Sequence, residues 1–432
     1  RYELPANVTL LDERYCHDLG VAEPRRARRR RLSALTRRRP RVPRMLAALR
    51  RLHVETTVDE SLLDDLAALD LSVEALLHGD ASFEVIAEIA RVLAPQAPFL
   101  ELFWQFRSMH VPLLRLLATP LPPARIYHSV STGYAGIVAA VTSRRTRRPM
   151  LLTEHGIYAR ERDLELSRTS SDLRHLWSRF FVRLSQIAYH QAARIVTLSA
   201  VNRSKQLHDG AAHDRTLIVP NGVDVDALAR GTRKQAHVPR ARPLVGFVGR
   251  VVPIKDVLTF IRACDLALRM LPLDIEVIGP TDEDPAYAQR CRALVESLGR
   301  ASEIRFVGAR KPAEIYSRLD MCVLTSYSEG QPLVLLEANA AGVPVIATDV
   351  GACRELVEGS EDSEDTALGP SGIITRVASP DETAAAIVRL ASDAELRRRL
   401  GEAGRARARS RYTKARMIET YRELYGAMEA SS

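Results

Sequence analysis

At 432 residues with 46% apolar content and few aromatics, the chain has the composition of an ordinary globular protein, long enough for two or three hydrophobic cores. Its five cysteines, Cys16, Cys264, Cys291, Cys322 and Cys353, lack paired spacing, which argues against a disulfide framework or a zinc site and for reduced thiols in a cytoplasm. The net charge of +9 is local: residues 21 to 51 hold thirteen arginines and one acid, a surplus of +12 that leaves −3 for everything else.

No run reaches the roughly 18 apolar residues of a membrane-spanning helix. Pro98 to Leu121 comes nearest and is interrupted by Glu101, Arg107, His110 and Arg115. The arginine-rich run could meet nucleic acid, an anionic membrane face or an acidic polymer. Few aromatics interleave with it for base stacking, so it reads as a solvated insertion, and no nucleic-acid partner is expected.

In chain order, Asn7 to Asp12 reads as a strand, although the chain opens on Arg1 and is expected to lack its true beginning. Amphipathic helices follow the basic insertion, over Val58 to Leu77 and Ser82 to Leu93. Strands are then predicted at Arg125 to Ser129, Met150 to Gly156, Arg194 to Ser199 and Thr216 to Pro220, separated by helical stretches, which means a parallel, doubly wound sheet. Hydrophobic periodicity fails between Asp224 and Arg242, so residues 226–242 read as a linker.

Beyond Pro243 the alternation restarts, with strands at Leu244 to Val248, Ile275 to Ile278, Ile304 to Val307, Met321 to Thr325 and Val343 to Thr348. The expected fold class is therefore α/β, with two Rossmann-like domains whose parallel sheets face each other across a cleft. The first spans 1–225 and the second 243–410. The last helical stretch, within 411–432, is expected to complete the first domain.

Ser326 to Gln331 falls between a buried strand and a helix that opens with Pro332. Loops at the carboxyl ends of strands are where open α/β sheets bind ligands, and a helix start offers unpaired N–H groups to an anion. Glu329 lies in this loop. Glu337 lies about one and a half turns into the helix, where its side chain leans back toward the helix start. Arg250 and Lys255 share another loop after a strand and could converge on a diphosphate.

That second loop is neither a phosphate-cradling G-x-x-x-x-G-K motif nor a dinucleotide fingerprint. The D-x-D pairs Asp224/Asp226 and Asp282/Asp284 read as turn and helix-start carboxylates, and no metal is expected. His155 ends a strand in the first domain, where it would face the cleft.

These elements together resemble glycosyltransferase family 4, nucleotide-sugar transferases of the GT-B fold, over roughly residues 125 to 425. The resemblance rests on Thr153-Glu154-His155-Gly156, Val219 to Asp224, Gly249-Arg250 with Lys255, Glu329 with Glu337, and Gly342 to Thr348. Finer detail in Glu154 to Arg162, Gly279 to Asp284 and Val350 to Leu356 looks like the Pel exopolysaccharide transferase subgroup.

The resemblance implies a UDP-sugar donor, UDP-glucose favoured, a saccharide or polysaccharide acceptor, and retention of anomeric configuration with no cofactor. Arg250 and Lys255 would take the diphosphate with the amides of Leu333 and Val334. Glu337 would hold the ribose, the main chain near Arg310 the base, and Gly330 and Gln331 would line the donor. Glu329 and His155 would meet the transferred sugar. It further implies a cytoplasmic protein, with a membrane-associated polysaccharide synthase complex as the partner that would hold it at the membrane's inner face.

One departure is that the family's glycine-rich loop after its first strand has no counterpart before Gly133. Two other readings share the architecture: a UDP-sugar 2-epimerase, and a catalytically silent sugar-nucleotide-binding subunit.

Overall fold

The computed structural model describes residues 7–8, 10–11, 13, 41–55, 57–68, 80–118, 121–166, 171–234 and 242–430. Two parallel sheets organise them. In the first domain β1 (Tyr127–Ser129), β2 (Met150–Glu154), β3 (Arg194–Thr197) and β4 (Thr216–Ile218) lie in that spatial order, every neighbouring pair parallel. Strand β2 is buried along its whole length, as a parallel strand covered on both faces must be.

Helices α1 (Arg41–Val54), α2 (Phe99–Ala118), α3 (Gly133–Thr146), α4 (Tyr158–Glu165) and α5 (Ser171–Gln191) supply most of that cover. Leu49, Leu52, Leu113, Ile137, Phe180 and Leu184 share one core with Leu152 of β2. A further helix, α6 (Ala200–His208), follows β3; the Ser199 hydroxyl accepts from the Asn202 N–H and fixes its start.

The second domain is a six-stranded sheet in the order β10–β9–β8–β5–β6–β7. Its strands are β5 (Leu244–Val248), β6 (Asp274–Ile278), β7 (Ile304–Phe306), β8 (Met321–Leu324), β9 (Val345–Thr348) and β10 (Gly372–Thr375). Strand β5 pairs with β6 on one side and β8 on the other. The order therefore reverses at β5 and β8, and the loops leaving their carboxyl ends diverge around a crevice.

Helix α7 (Val225–Lys234) corrects the first half of the region read as linker. Val225, Leu228 and Ala229 lie at helical spacing and are buried, Val225 and Leu228 in the second domain's core. Asp224 accepts from the Ala227 N–H at 2.9 Å and caps the helix. The polar residues between them hid this period in the sequence. Residues 235–241 lie outside the described region.

Other differences are local. Residues 7, 8, 10 and 11 are exposed and lie in no strand, and most of the basic segment 21–51 falls outside the described residues apart from α1. The helix expected from Val58 is described over Glu60–Ala68. Strand β10 was not anticipated, because Gly372-Ile373-Ile374-Thr375 is short and starts with glycine.

The chain crosses between domains twice at one place. The Val223 N–H donates to the Tyr412 carbonyl at 2.9 Å and the Lys414 N–H to the Val223 carbonyl at 3.0 Å. Beyond α8 (Val257–Leu268) and α9 (Leu333–Ala341), helix α10 (Lys414–Ala430) returns to the first domain. There Met428 is buried with Leu151, Val196 and Val219, and the Tyr421 hydroxyl meets the Thr153 hydroxyl at 2.8 Å.

Candidate active site

The loop after β8 and the loop after β5 sit side by side because their strands are paired. The Tyr327 N–H donates to the Ile254 carbonyl at 2.9 Å. The Thr325 hydroxyl reaches the carbonyl of Asp256 at 2.9 Å. Asp256 itself adopts a left-handed conformation (φ 46°), which a short polar side chain tolerates best, and its carboxylate caps α8 by accepting from the Thr259 N–H. This backbone reversal aims Lys255 across to the neighbouring loop.

There Lys255 Nζ donates to Glu329 Oε1 at 2.6 Å, and the Ser326 hydroxyl donates to the same oxygen at 2.6 Å. The Glu329 side chain is only 8% exposed and that of Lys255 18%. Two residues 74 positions apart in sequence thus form one charged contact over the β5/β8 switch point. Ser326 opens the loop that the sequence marks for ligand binding, but the bond from its hydroxyl to Glu329 was not anticipated.

Glycines press this turn into place. A Cβ on Gly330 would lie 2.0 Å from the His155 carbonyl oxygen of the first domain. One on Gly351 (φ +53°) would lie 2.0 Å from the Glu329 carbonyl oxygen, and the Ala352 N–H donates to the Gly330 carbonyl at 2.9 Å. Both positions require a residue without a side chain. The carboxyl ends of the two sheets therefore touch at Gly330 and His155.

Helix α9 begins at Leu333 with Pro332 as its cap, one residue later than expected, and proline offers no capping side chain to the first-turn amides of Leu333 and Val334. Glu337 accepts from the Tyr316 hydroxyl at 2.9 Å, and burial raises its pKa above the ordinary carboxylate value. Arg250 pairs with the exposed Glu283, and Arg310 lies exposed on the loop after β7. In this state neither joins the Lys255–Glu329 contact. The Gln331 side chain turns to the first domain, where it bonds to Leu198 and Asn221.

On the other side, Glu154 ends β2 buried, accepting from the hydroxyls of Thr132 (2.9 Å) and Tyr189 (2.5 Å), the Gln206 amide (2.8 Å) and the Tyr158 N–H (3.1 Å). Burial raises its pKa, partly offset by those four donors. The Tyr158 bond fixes the start of α4 and hence the turn that presents His155. His155 is exposed as a residue, and partial burial of its imidazole lowers the pKa below the usual value. Among the described residues no three His, Cys, Asp or Glu side chains cluster as a metal-ligand set, and Asp284, like Asp224, caps a helix.

This two-lobed arrangement, with parallel sheets meeting at their carboxyl edges, is the GT-B architecture. The sucrose-phosphate synthase of Thermosynechococcus elongatus superposes with a TM-score of 0.59 at 21% identity, covering 84% of this chain and 82% of that one. Anabaena Alr3699/HepE, solved in complex with UDP, gives 0.57 at 19% identity over 70% and 78%.

Residues 228–407 match the family described as glycosyl transferases group 1. Residues 1–214 match a domain of unknown function, DUF3492. The D-inositol 3-phosphate glycosyltransferase of Nocardia farcinica is 30% identical over 306 residues, 67% of this chain and 64% of that protein. The enzyme of that name from Corynebacterium glutamicum is 31% identical over 221 residues, 47% and 51%. The chain thus spans about half to two thirds of the length of these curated relatives.

Proposed function

We propose that the protein is a retaining, metal-independent glycosyltransferase of the family 4 type, nearest the Pel subgroup, moving a hexose from a UDP-sugar to a saccharide acceptor in exopolysaccharide synthesis. UDP-glucose is the favoured donor. The observation that carries the reading is the Lys255–Glu329 contact at the β5/β8 switch point, held against His155 of the opposite domain.

In this reading the donor takes the place of two ion pairs, Lys255–Glu329 and Arg250–Glu283. Lys255 turns from Glu329 to the diphosphate, joined by Arg250, which leaves its exposed partner Glu283 at little cost because such surface pairs contribute about 0–1 kcal/mol. The Leu333 and Val334 amides complete the anion cradle. Glu329, released, accepts from hydroxyls of the sugar, Glu337 from those of the ribose, and the main chain near Arg310 meets the base.

Charge develops on the leaving diphosphate as the bond from the anomeric carbon to its oxygen breaks. Fixed cations and helix amides stabilise that charge without a metal. The acceptor oxygen bonds to the anomeric carbon from the same face, and its proton passes to the departing phosphate, so UDP leaves and configuration is kept. His155 approaches the sugar from the other side, its lowered pKa keeping it neutral and able to accept or donate a hydrogen bond.

The names of the relatives point to a phosphorylated polyol acceptor, which is the specific rival to a saccharide. No described helix is long and apolar enough to cross a membrane. We place the protein in the cytoplasm, at the membrane only through a synthase partner. Incubation with a panel of labelled UDP-sugars tests the proposal: transfer or slow donor hydrolysis supports it, whereas isomerised sugar or binding without turnover refutes it.

A further inference from the structure

Gln331 follows Glu329 by two residues, yet it is buried with 5% of its surface exposed and its amide belongs to the opposite domain. The Asn221 N–H donates to Gln331 Oε1 at 2.7 Å, and Gln331 Nε2 donates to the Leu198 carbonyl at 3.1 Å. Asn221 Nδ2 closes a third contact, to the Gln331 carbonyl, at 3.4 Å. Leu198 lies just past the carboxyl end of β3 and Asn221 just past that of β4, so one side chain ties two adjacent loops of the first sheet.

The orientation of the amide is fixed, because its oxygen faces a donor and its nitrogen an acceptor. A carboxylate here would keep the Asn221 contact but set an oxygen against the Leu198 carbonyl, and a shorter amide would fall about one methylene short of one loop. Immediately before it, the glycine at 330 lets the chain approach the His155 carbonyl to a distance that no other residue allows. Gly330 and Gln331, in the loop that carries Glu329, therefore register one domain on the other.

We propose that Gln331 is a positioning residue, an interdomain clasp that sets Glu329 and His155 at a fixed separation about one sugar, and that it does not itself hold the donor. The proposal rests on the glycosyltransferase reading for its catalytic consequence but not for the clasp itself. A misplacement of about 1 Å between reacting groups can cost on the order of a hundredfold in rate. Loss of the clasp therefore appears in turnover and leaves donor affinity almost untouched.

The test uses Gln331→Met, which keeps length and bulk but removes both amide bonds, alongside Gln331→Ala. In both, kcat with the UDP-sugar falls about tenfold to a hundredfold while KM for the donor, and the affinity for UDP by calorimetry, change less than about threefold. Hydrogen exchange at the Asn221 amide rises at least about tenfold, since its acceptor is gone. If Gln331→Met restored normal turnover while Gln331→Ala did not, the residue would be packing alone and the clasp would be refuted.

A rise in donor KM with kcat preserved would likewise overturn the proposal, returning Gln331 to the donor site. Unchanged exchange at Asn221 would show that the clasp does not hold in solution. Should the unmodified protein bind UDP but turn over no UDP-sugar, the exchange measurement still decides the clasp, and only the catalytic reading is lost.

Discussion

The carboxyl ends of β2 and β8 carry comparable glutamates put to opposite uses. Glu154 is sealed under four donors and bonded to nothing outside its own domain, so its charge is consumed by structure. Glu329 is nearly as covered, but it shares one oxygen between a lysine and a serine, both on loops at a topological switch point. A carboxylate satisfied by neutral donors on every side shapes a turn. One whose main partner is a single lysine can trade it for a ligand.

The comparison breaks most visibly at Glu154. Replacing it with alanine strands buried hydroxyl and amide donors and should cost about 3–5 kcal/mol, read as a large drop in the denaturation midpoint. A loss under about 1 kcal/mol would mean that the network is not formed. Glu329→Gln should do the reverse, leaving the melting temperature within a few degrees while lowering turnover about 10²–10³-fold. Near-normal rates would discard its role at the sugar.

Donor binding sharpens the contrast further. Arg250→Ala with Lys255→Ala should abolish calorimetric binding of the UDP-sugar, and unchanged affinity would remove the diphosphate assignment. Glu337→Gln should weaken nucleotide binding by about 1.5–3 kcal/mol, the worth of a charge-assisted contact.

The smallest effect concerns a pair remote from the cleft. His53 and His110 are fully buried, their Nε2 atoms 2.9 Å apart, and burial holds His110 down to about 4 and His53 well below its usual value. Arg179 and Arg183 face His53 and push it the same way. Both rings fold neutral, so their stabilisation is complete above about pH 6.5, where the unfolded rings are also neutral. It is lost as pH falls toward 4, because the unfolded chain then binds protons that the native one refuses. Melting temperature should decline through that window, and a His53→Phe/His110→Leu variant should flatten the decline. An equal slope in the variant would assign it elsewhere.

Much of the second domain was legible because parallel strands buried on both faces read as continuous apolar runs. Val245, Ile275, Met321 and Ile346 mark them plainly. Helix α7 and strand β10 were not, since one hides three apolar contacts among polar residues and the other is four residues opened by glycine. The Glu154 network was invisible for a different reason: its donors come from 22 residues before it to 52 after.

The α/β alternation, the two-domain division and the loops on which Lys255, Glu329 and His155 stand can be read from the residues alone, because hydrophobic period and helix-start chemistry are local properties. The fold is needed to pair Lys255 and not Arg250 with Glu329, to turn the Gln331 side chain to the opposite domain, and to set Gly330 against His155. Those contacts depend on strand order and on the crossing at Val223 and Thr413, which bring together segments that no local pattern relates.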